Sequence, residues 1–118
     1  MGDRTVIRRG VEAEAMAAAF LERKGLRVLE CNYRCRMGEI DLVARDGPTT
    51  VFVEVRRRTS SAFGGAAASI TRAKRLRLMK AARHYLSRLG TFPPCRFDAL
   101  LIEGDPPRIE WIRDAFGE

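Results

Sequence analysis

Apolar residues recur along the first half of the chain with two different periods. From Val11 to Lys24 they fall on one arc of a helix, and Gly25 follows where a helix C-terminus favours glycine. The next stretches alternate or cluster as strands do, and they predict strands over Leu26 to Arg34, Gly38 to Arg45 and Thr50 to Arg58. The turn Asp46-Gly47-Pro48 joins the last two. Three successive strands with short connections predict an antiparallel meander.

The second half of the chain predicts a helix and two more strands. Ser69 or Thr71 can cap this helix, which runs to about Leu89. Its predicted apolar face consists of Leu78, Met79, Ala82, Tyr85, Leu86 and Leu89, and its basic face of Arg72, Arg77, Lys80, Arg83 and Arg88. Strands follow over Phe97 to Ile102 and Ile109 to Ile112. The order helix, three strands, helix, strand, strand predicts a single α/β domain over residues 1–118, with a mixed sheet and a helix packed on each face.

Small residues dominate the segment 59–69 (TSSAFGGAAAS) between the third strand and the second helix. Such a segment packs little, so it predicts a flexible loop. Two roles stay open for it. The loop can be a plain connector, or it can order over a bound substrate, with Phe63 as a stacking or wedging residue and Gly64 and Gly65 as hinges.

The composition adds a positive charge to this picture. The 118 residues include 22 basic and 15 acidic side chains, a net charge of +7, and 19 of the 22 are arginines. Arginine suits bidentate phosphate contacts, which favours nucleic acid as a partner. An arginine-rich composition with a generally solvated surface gives the same total, so charge alone leaves both interpretations open.

The sequence gives no sign of a membrane or a disulfide framework. No stretch approaches the ~20 apolar residues of a membrane span, and no apolar signal-peptide core follows the charged start, Met1 to Arg9. We therefore expect a cytoplasmic protein with no membrane partner. Cys31, Cys35 and Cys95 include no CxxC pair, which indicates neither disulfides nor zinc, and we interpret them as reduced, mostly packing residues.

Two carboxylates interrupt the apolar middle strands, Asp41 after Ile40 and Glu54 after Val53. Strand alternation assigns Glu39, Asp41 and Val43 to one face, Ile40, Leu42 and Ala44 to the other, and groups Phe52 with Glu54 and Arg56. If the two strands pair through their turn, Asp41 and Glu54 lie near each other on one face, where two like charges repel. Mg²⁺ resolves this conflict, since it prefers oxygen ligands and uses one or two carboxylates.

The first helix offers a third acid. Glu14 borders the apolar arc beside Ala17 and Leu21, so it would point towards the same place if this helix covers the acidic face of the sheet. The alternative is a surface acid near a helix start, which the macrodipole stabilises by ~0.3–1 kcal/mol.

These residues resemble a known family. The matching stretches are Gly10 to Ala17, Asn32 to Arg34, Gly38 to Leu42, Val51 to Arg58, Phe63-Gly64, Lys74 and Arg96 to Asp98. In these stretches, and from about Gly10 to Arg113 as a whole, the chain resembles the YraN-type bacterial proteins, which are similar to archaeal Holliday-junction resolvases within the PD-(D/E)xK nuclease superfamily. The most specific part is the spacing of a helical Glu, then Asp41, then Glu54 followed by one residue and a basic side chain.

The resemblance implies a restriction-endonuclease-like fold and a site for Mg²⁺ or Mn²⁺. Asp41 and Glu54 would be metal ligands, the backbone carbonyl of Val55 a third ligand, and Glu14 an outer-shell or second-metal acid. The implied reaction is hydrolysis of phosphodiester bonds by a metal-polarised water. Junction-cutting relatives act as two-fold dimers, which makes a homodimer an expectation, although the sequence shows no dimer face.

One position departs from the superfamily pattern, because Arg56 stands where the third motif residue is usually Lys. Arginine stays protonated and cannot act as a general base, although it can hold a phosphate. Three outcomes stay open. Lys74 can supply the ammonium group, water or the substrate phosphate can take the proton, or the protein binds nucleic acid without cleaving it.

Basic residues follow the acids on both sides of the small-residue loop. Arg56, Arg57 and Arg58 end the third strand, and Arg72, Lys74, Arg75, Arg77 and Lys80 open the second helix. This arrangement predicts a groove lined by cations that bind DNA phosphates. Because no recognition-helix motif, zinc finger or RNA-binding aromatic pair is visible, we expect recognition of DNA by shape or junction geometry.

Overall fold

A computed structural model describes residues 2–58 and 70–116, with the side chains of 12–57 and 70–116. Its elements are α1 (Gly2–Arg23), β1 (Arg27–Cys35), β2 (Gly38–Asp46), β3 (Thr49–Arg58), α2 (Arg72–Leu89), β4 (Cys95–Glu103) and β5 (Arg108–Phe116). The predicted loop 59–69, with Phe63, and the side chain of Arg58 lie outside the described part. The predicted order of elements is confirmed.

The five strands form one sheet in the order β1-β2-β3-β4-β5. The pairs β1–β2, β2–β3 and β4–β5 are antiparallel, while β3 and β4 are parallel. The first three strands are therefore the predicted meander, and α2 makes the crossover that a parallel pair requires. The sheet is mixed, as predicted.

Two elements are much longer than their patterns predict. Helix α1 begins at Gly2 rather than at Val11. The stretch before Val11 is charged and has no apolar arc, so its sequence shows no helical periodicity although the helix includes it. Strand β5 continues to Phe116, past the predicted end at Ile112. Its last part is held by the backbone N–H of Asp114, which donates to Asp98 Oδ1 at 2.9 Å.

A helix covers each face of the sheet. Ala13, Ala17 and Leu21 of α1 pack on one face, in a cluster with Val51, Val53, Val55 and other aliphatic side chains of β2 to β4. Leu78, Ala82 and Tyr85 of α2 pack on the other face, against Ile40, Val43, Phe52 and Phe97. The central strands are thus buried on both faces, which explains their near-continuous apolar runs.

The ends and the buried face of α2 follow the sequence closely. Thr71 is the N-cap and accepts a hydrogen bond from the backbone N–H of Lys74, while Gly90 ends the helix with φ of 72°. Leu89 is the exception: the pattern placed it on the apolar face, yet it is 48% exposed, because the helix ends there beyond the cover of the sheet. Ala81 is buried instead.

The cysteines differ in part from their prediction. None of the three forms a disulfide within the described part of the chain, but only Cys35 packs against the core, whereas Cys31 and Cys95 are exposed, so the prediction that most of them pack is wrong. Cys31 lies on the edge strand β1, most of whose residues are exposed. Among the helices that the structure describes, none combines the length and the apolar character needed to span a membrane.

Gly38, at the start of β2, allows α2 to approach the sheet closely. A Cβ at this position would lie 3.0 Å from the carbonyl oxygen of Arg77 and 3.3 Å from its Cβ. Backbone atoms of a helix cannot give way as a flexible side chain can. Glycine at position 38 therefore sets the distance between β2 and the first turns of α2.

We expect Gly38→Ala to lower the free energy of unfolding by about 1–3 kcal/mol, since the added methyl forces the helix away from the strand. Urea denaturation measures the change. Gly47→Ala is the control for a positive φ without a close contact, because Gly47 has φ of 60° and nothing within 4 Å of the added Cβ. Gly38 has φ of 155°, so its backbone conformation adds to the loss. Equal losses in the two variants would contradict the close-approach explanation.

Candidate functional site

The candidate site lies where β2 and β3 separate. The two strands pair from Asp46↔Thr49 to Leu42↔Val53, and the ladder stops there. One residue further on, the backbone N–H of Val55 donates to Asp41 Oδ2 at 2.8 Å. A side-chain carboxylate thus takes the hydrogen bond that the next ladder position would have made, and the strand end opens into a gap.

The alternation of faces along β2 breaks at Asp41. Leu42 and Ala44 pack towards α1, but Ile40 and Val43 both pack towards α2. The prediction that Ile40, Leu42 and Ala44 share a face is therefore wrong for Ile40. The break coincides with Asn32 on β1, which has φ of 54° and lies between the paired positions Tyr33↔Ile40 and Cys31↔Leu42. Asparagine tolerates this left-handed conformation better than most residues.

Asp41 and Glu54 meet at the gap, where the two carboxyl groups are close enough for each to shift the pKa of the other. Val53 and Val55 point towards α1, so Glu54 points towards the α2 side by alternation. The acids therefore meet between the two helices, which corrects the expectation that they lie together under the first helix. Val43 and Phe52, the predicted neighbours, belong to the α2 side.

Burial and mutual repulsion shift the titration of both acids. Burial, followed by the charge of Asp41, raises the pKa of Glu54 to about 7, against the opposing effect of Arg56. Burial also raises the pKa of Asp41, although the hydrogen bond from Val55 works in the other direction. Without a cation, the pair therefore keeps a shared proton into the neutral range.

Glu14 lies at the same gap on the α1 side. Burial and the nearby charge of Asp41 raise its pKa, while the side-chain amide of Asn32 donates to Glu14 Oε1 and lowers it. Glu14 lines the same cavity as Asp41 and Glu54. The role of Asn32 was missed, and only its place beside Tyr33 and Arg34 in the family-like stretch could have drawn attention to it.

Arg56 pairs with Glu54. Its Nη2 lies 2.7 Å from Glu54 Oε1, and the two side chains are only 24% and 14% exposed. The Nε of Arg56 is buried and has no hydrogen-bond partner among the described residues. Lys74, at the first turn of α2, is close enough for its charge to lower the pKa of Glu54.

A cavity of about 740 Å³ surrounds these groups and opens between the helices. Of the predicted residues, it is lined by Glu14, Asp41, Glu54, Val55, Arg56, Arg57, Lys74 and Arg77. Arg72, Arg75 and Lys80 are exposed on α2 but do not line it, and Arg75 lies over the ring of Phe116 instead. Arg34 and Glu39, which form an exposed ion pair of 3.2 Å, also line it.

The donor set at the gap fits a hard divalent cation with few protein ligands. Within residues 12–57 and 70–116, no three His, Cys, Asp or Glu side chains cluster closely enough to form a metal cage. Mg²⁺, however, commonly uses one or two carboxylates and keeps its waters. The C=O of an extended residue points to the same side as its N–H, so the carbonyl of Val55 points into the gap beside Asp41 and Glu54.

The mixed sheet, the helix on each face and the order of elements define an α/β protein with a restriction-endonuclease-like fold. The model of the uncharacterised protein family UPF0102 matches residues 13–102. The chain belongs to this family, which confirms the resemblance to YraN-type proteins at the level of the family.

Several relatives match over nearly their whole length. The chain is 59% identical over 110 residues to the UPF0102 protein of Nitrosomonas eutropha, covering 93% of this chain and 94% of the relative. It is 61% identical over 112 residues to a UPF0102 protein of Nitrosomonas europaea, with the same coverage. For Nitrosospira multiformis the identity is 56% over 109 residues, covering 92% of each chain.

The shifted titration of Glu54 predicts a pH-dependent stability of the metal-free protein. The folded pKa of about 7 lies above the ordinary value of 4.5. The native state therefore binds more protons than the unfolded state between these values, and stability falls as pH rises through this window. We expect the wild type to lose about 1–3 kcal/mol relative to Glu54→Gln between pH 4.5 and pH 8.

Urea denaturation at the two pH values in EDTA measures this difference. Glu22→Gln, which changes an exposed acid of α1, should follow the wild type. If wild type and Glu54→Gln show the same dependence on pH, the carboxyl pair does not hold the extra proton.

Proposed function

We propose that this protein is a Mg²⁺- or Mn²⁺-dependent endonuclease that hydrolyses phosphodiester bonds in structured or branched DNA. The observation that carries the proposal is the close approach of two partly buried carboxyl groups at a strand gap, inside a cavity whose lining also includes five arginine and lysine side chains. Such an acidic pair is unfavourable on its own account. A divalent cation that both carboxylates share removes the repulsion.

Each residue at the gap has a definite part in this proposal. Asp41 and Glu54 hold the cation with the carbonyl of Val55, and the hydrogen bond from Val55 fixes the orientation of Asp41. Glu14, oriented by Asn32, faces the same space and binds a cation-bound water. When bound, the cation polarises water for attack and stabilises charge on the phosphate oxygens.

The positive residues bind and orient the phosphates. The Nε of Arg56 is buried and has no acceptor within residues 12–57 and 70–116, and a phosphate oxygen can provide one. Lys74 of α2 lines the cavity near Glu54. It can supply the ammonium group of the usual motif lysine, because the guanidinium of Arg56 stays protonated. Arg57 and Arg77 line the same cavity, and they bind phosphates on either side of the scissile one.

We expect purified protein with Mn²⁺ or Mg²⁺ to cleave a four-way DNA junction. Asp41→Asn and Glu54→Gln should each lower the cleavage rate by at least about 100-fold, because each variant removes a metal ligand that supports several kcal/mol of transition-state stabilisation. Glu110→Gln is the matched control, because Glu110 is an exposed acid on the far edge strand. Gel analysis of labelled junctions measures the rates. Cleavage that persists in EDTA, or equally in both variants, would point to a contaminating nuclease.

A second candidate function is DNA binding without cleavage. The ion pair between Arg56 and Glu54 favours it, because an arginine in this position cannot act as a base. In that case the two acid variants bind DNA as the wild type does, and no metal supports cleavage.

Both candidate functions predict the same phosphate contacts and therefore the same salt dependence of DNA binding. Arg57→Gln and Arg77→Gln should each reduce the slope of log affinity against log salt by about 0.9, because each removes one phosphate contact. Arg75→Gln should leave the slope unchanged, since Arg75 lies over Phe116 outside the cavity. Fluorescence anisotropy between 50 and 200 mM salt, roughly the range over which such slopes are resolved, gives the values. Equal effects of all three variants would mean that the cavity is not the DNA-binding surface.

A further inference from the structure

The guanidinium of Arg56 binds the carboxylate of Glu54, which a divalent cation at this site would also bind. The guanidinium donates to Glu54 Oε1 at 2.7 Å and lies close enough to Asp41 to act on its charge as well. Both partners of the ion pair are largely buried. In the described structure, the positive charge of Arg56 therefore partly neutralises the acidic pair, as a bound metal would.

The geometry also shows that this arrangement leaves Arg56 incompletely satisfied. A guanidinium has five N–H donors, and the Nε of Arg56 is buried with no acceptor in the part of the chain that the structure describes. Arg96, another half-buried arginine, bridges two carboxylates, Asp46 and Asp98, although its Nη2 also has no acceptor among the described residues. Within the described residues Arg56 forms an ion pair with one carboxylate, that of Glu54, so it has capacity for a second acidic ligand.

We propose that Arg56 exchanges partners during binding: it pairs with Glu54 while the site holds no metal, and it moves to a phosphodiester oxygen when Glu54 binds a divalent cation. The inference rests on the proposed function and specifies the order in which that site is filled. Release from Glu54 would leave a buried charge without a partner, which is costly. A phosphate that accepts from both Nε and Nη2 removes that cost.

The exchange couples the two ligands thermodynamically. Glu54 must give up Arg56 to bind the cation, so Arg56 weakens metal binding in the free protein. The released guanidinium strengthens phosphate binding, so metal and DNA each raise the affinity for the other. The substitution of arginine for lysine at this position then makes metal binding dependent on substrate.

Titration of Mn²⁺ by isothermal calorimetry at pH 8 tests the first half of this scheme. We expect Arg56→Gln to bind Mn²⁺ about tenfold more tightly than the wild type, because a short charged hydrogen bond no longer competes for Glu54. Arg57→Gln is the matched control: it removes the same charge from the same cavity, but it lies on the α1 side by alternation, away from Glu54. For Arg57→Gln we expect the Mn²⁺ affinity to rise by about twofold or less, because this variant only reduces the long-range repulsion between the cavity and the metal ion.

Junction affinity in EDTA and in Ca²⁺, measured by anisotropy, tests the second half. The wild type should bind the junction about tenfold more tightly in Ca²⁺, and this ratio should fall severalfold in Arg56→Gln but not in Arg57→Gln.

The outcomes separate this inference from the proposed function. Mn²⁺ binding that Asp41→Asn abolishes, with equal affinities in wild type and Arg56→Gln, would overturn the exchange of partners and leave the metal site intact. Equal gains in Arg56→Gln and Arg57→Gln would also overturn it, since they would reflect charge alone. Absence of Mn²⁺ binding in the wild type and in Arg56→Gln would overturn the metal site itself and the inference with it.

Discussion

The repulsion between two carboxyl groups that the sheet brings into contact is the constraint on which the rest of the site depends. Strands β2 and β3 stop pairing at Leu42 and Val53, and one residue later the carboxyl groups of Asp41 and Glu54 lie close together in a partly buried space. The protein offsets this repulsion in three ways. Val55 donates a backbone N–H, Arg56 forms an ion pair, and the pair retains a proton.

Residues on both sides of the sheet line the gap between β2 and β3. On the α1 side, Glu14 is held by Asn32, whose left-handed backbone conformation accompanies the change of face along the edge of the sheet. On the α2 side, Gly38 lets the helix approach so closely that Arg77 and Lys74 reach the cavity. A close pair of partly buried carboxyl groups lowers stability, because burial and the neighbouring acid both disfavour the charged form of each group.

Much of the fold followed from the sequence, because apolar periodicity reports burial directly. The order of elements, the N-cap Thr71, the end of α2 at Leu89 and the two-sided burial of the central strands all match their patterns. The first nine residues of α1 and the end of β5 gave no signal, since the former lack an apolar arc and the latter is held by a long-range hydrogen bond to Asp98.

The sequence by itself determined which side chains carry the candidate chemistry: Asp41, Glu54 and Glu14 were recognisable as acids in apolar surroundings or at their border. Only the tertiary structure decided how they meet. Strict alternation placed the acids under one helix, but the break at Asn32 and Asp41 turns the strand and moves the site between the two helices. Partner choice was also invisible, since Arg56 and Glu54, or Arg34 and Glu39, pair through space. Periodicity describes one chain segment at a time, whereas a strand break and an ion pair depend on the neighbour across the sheet.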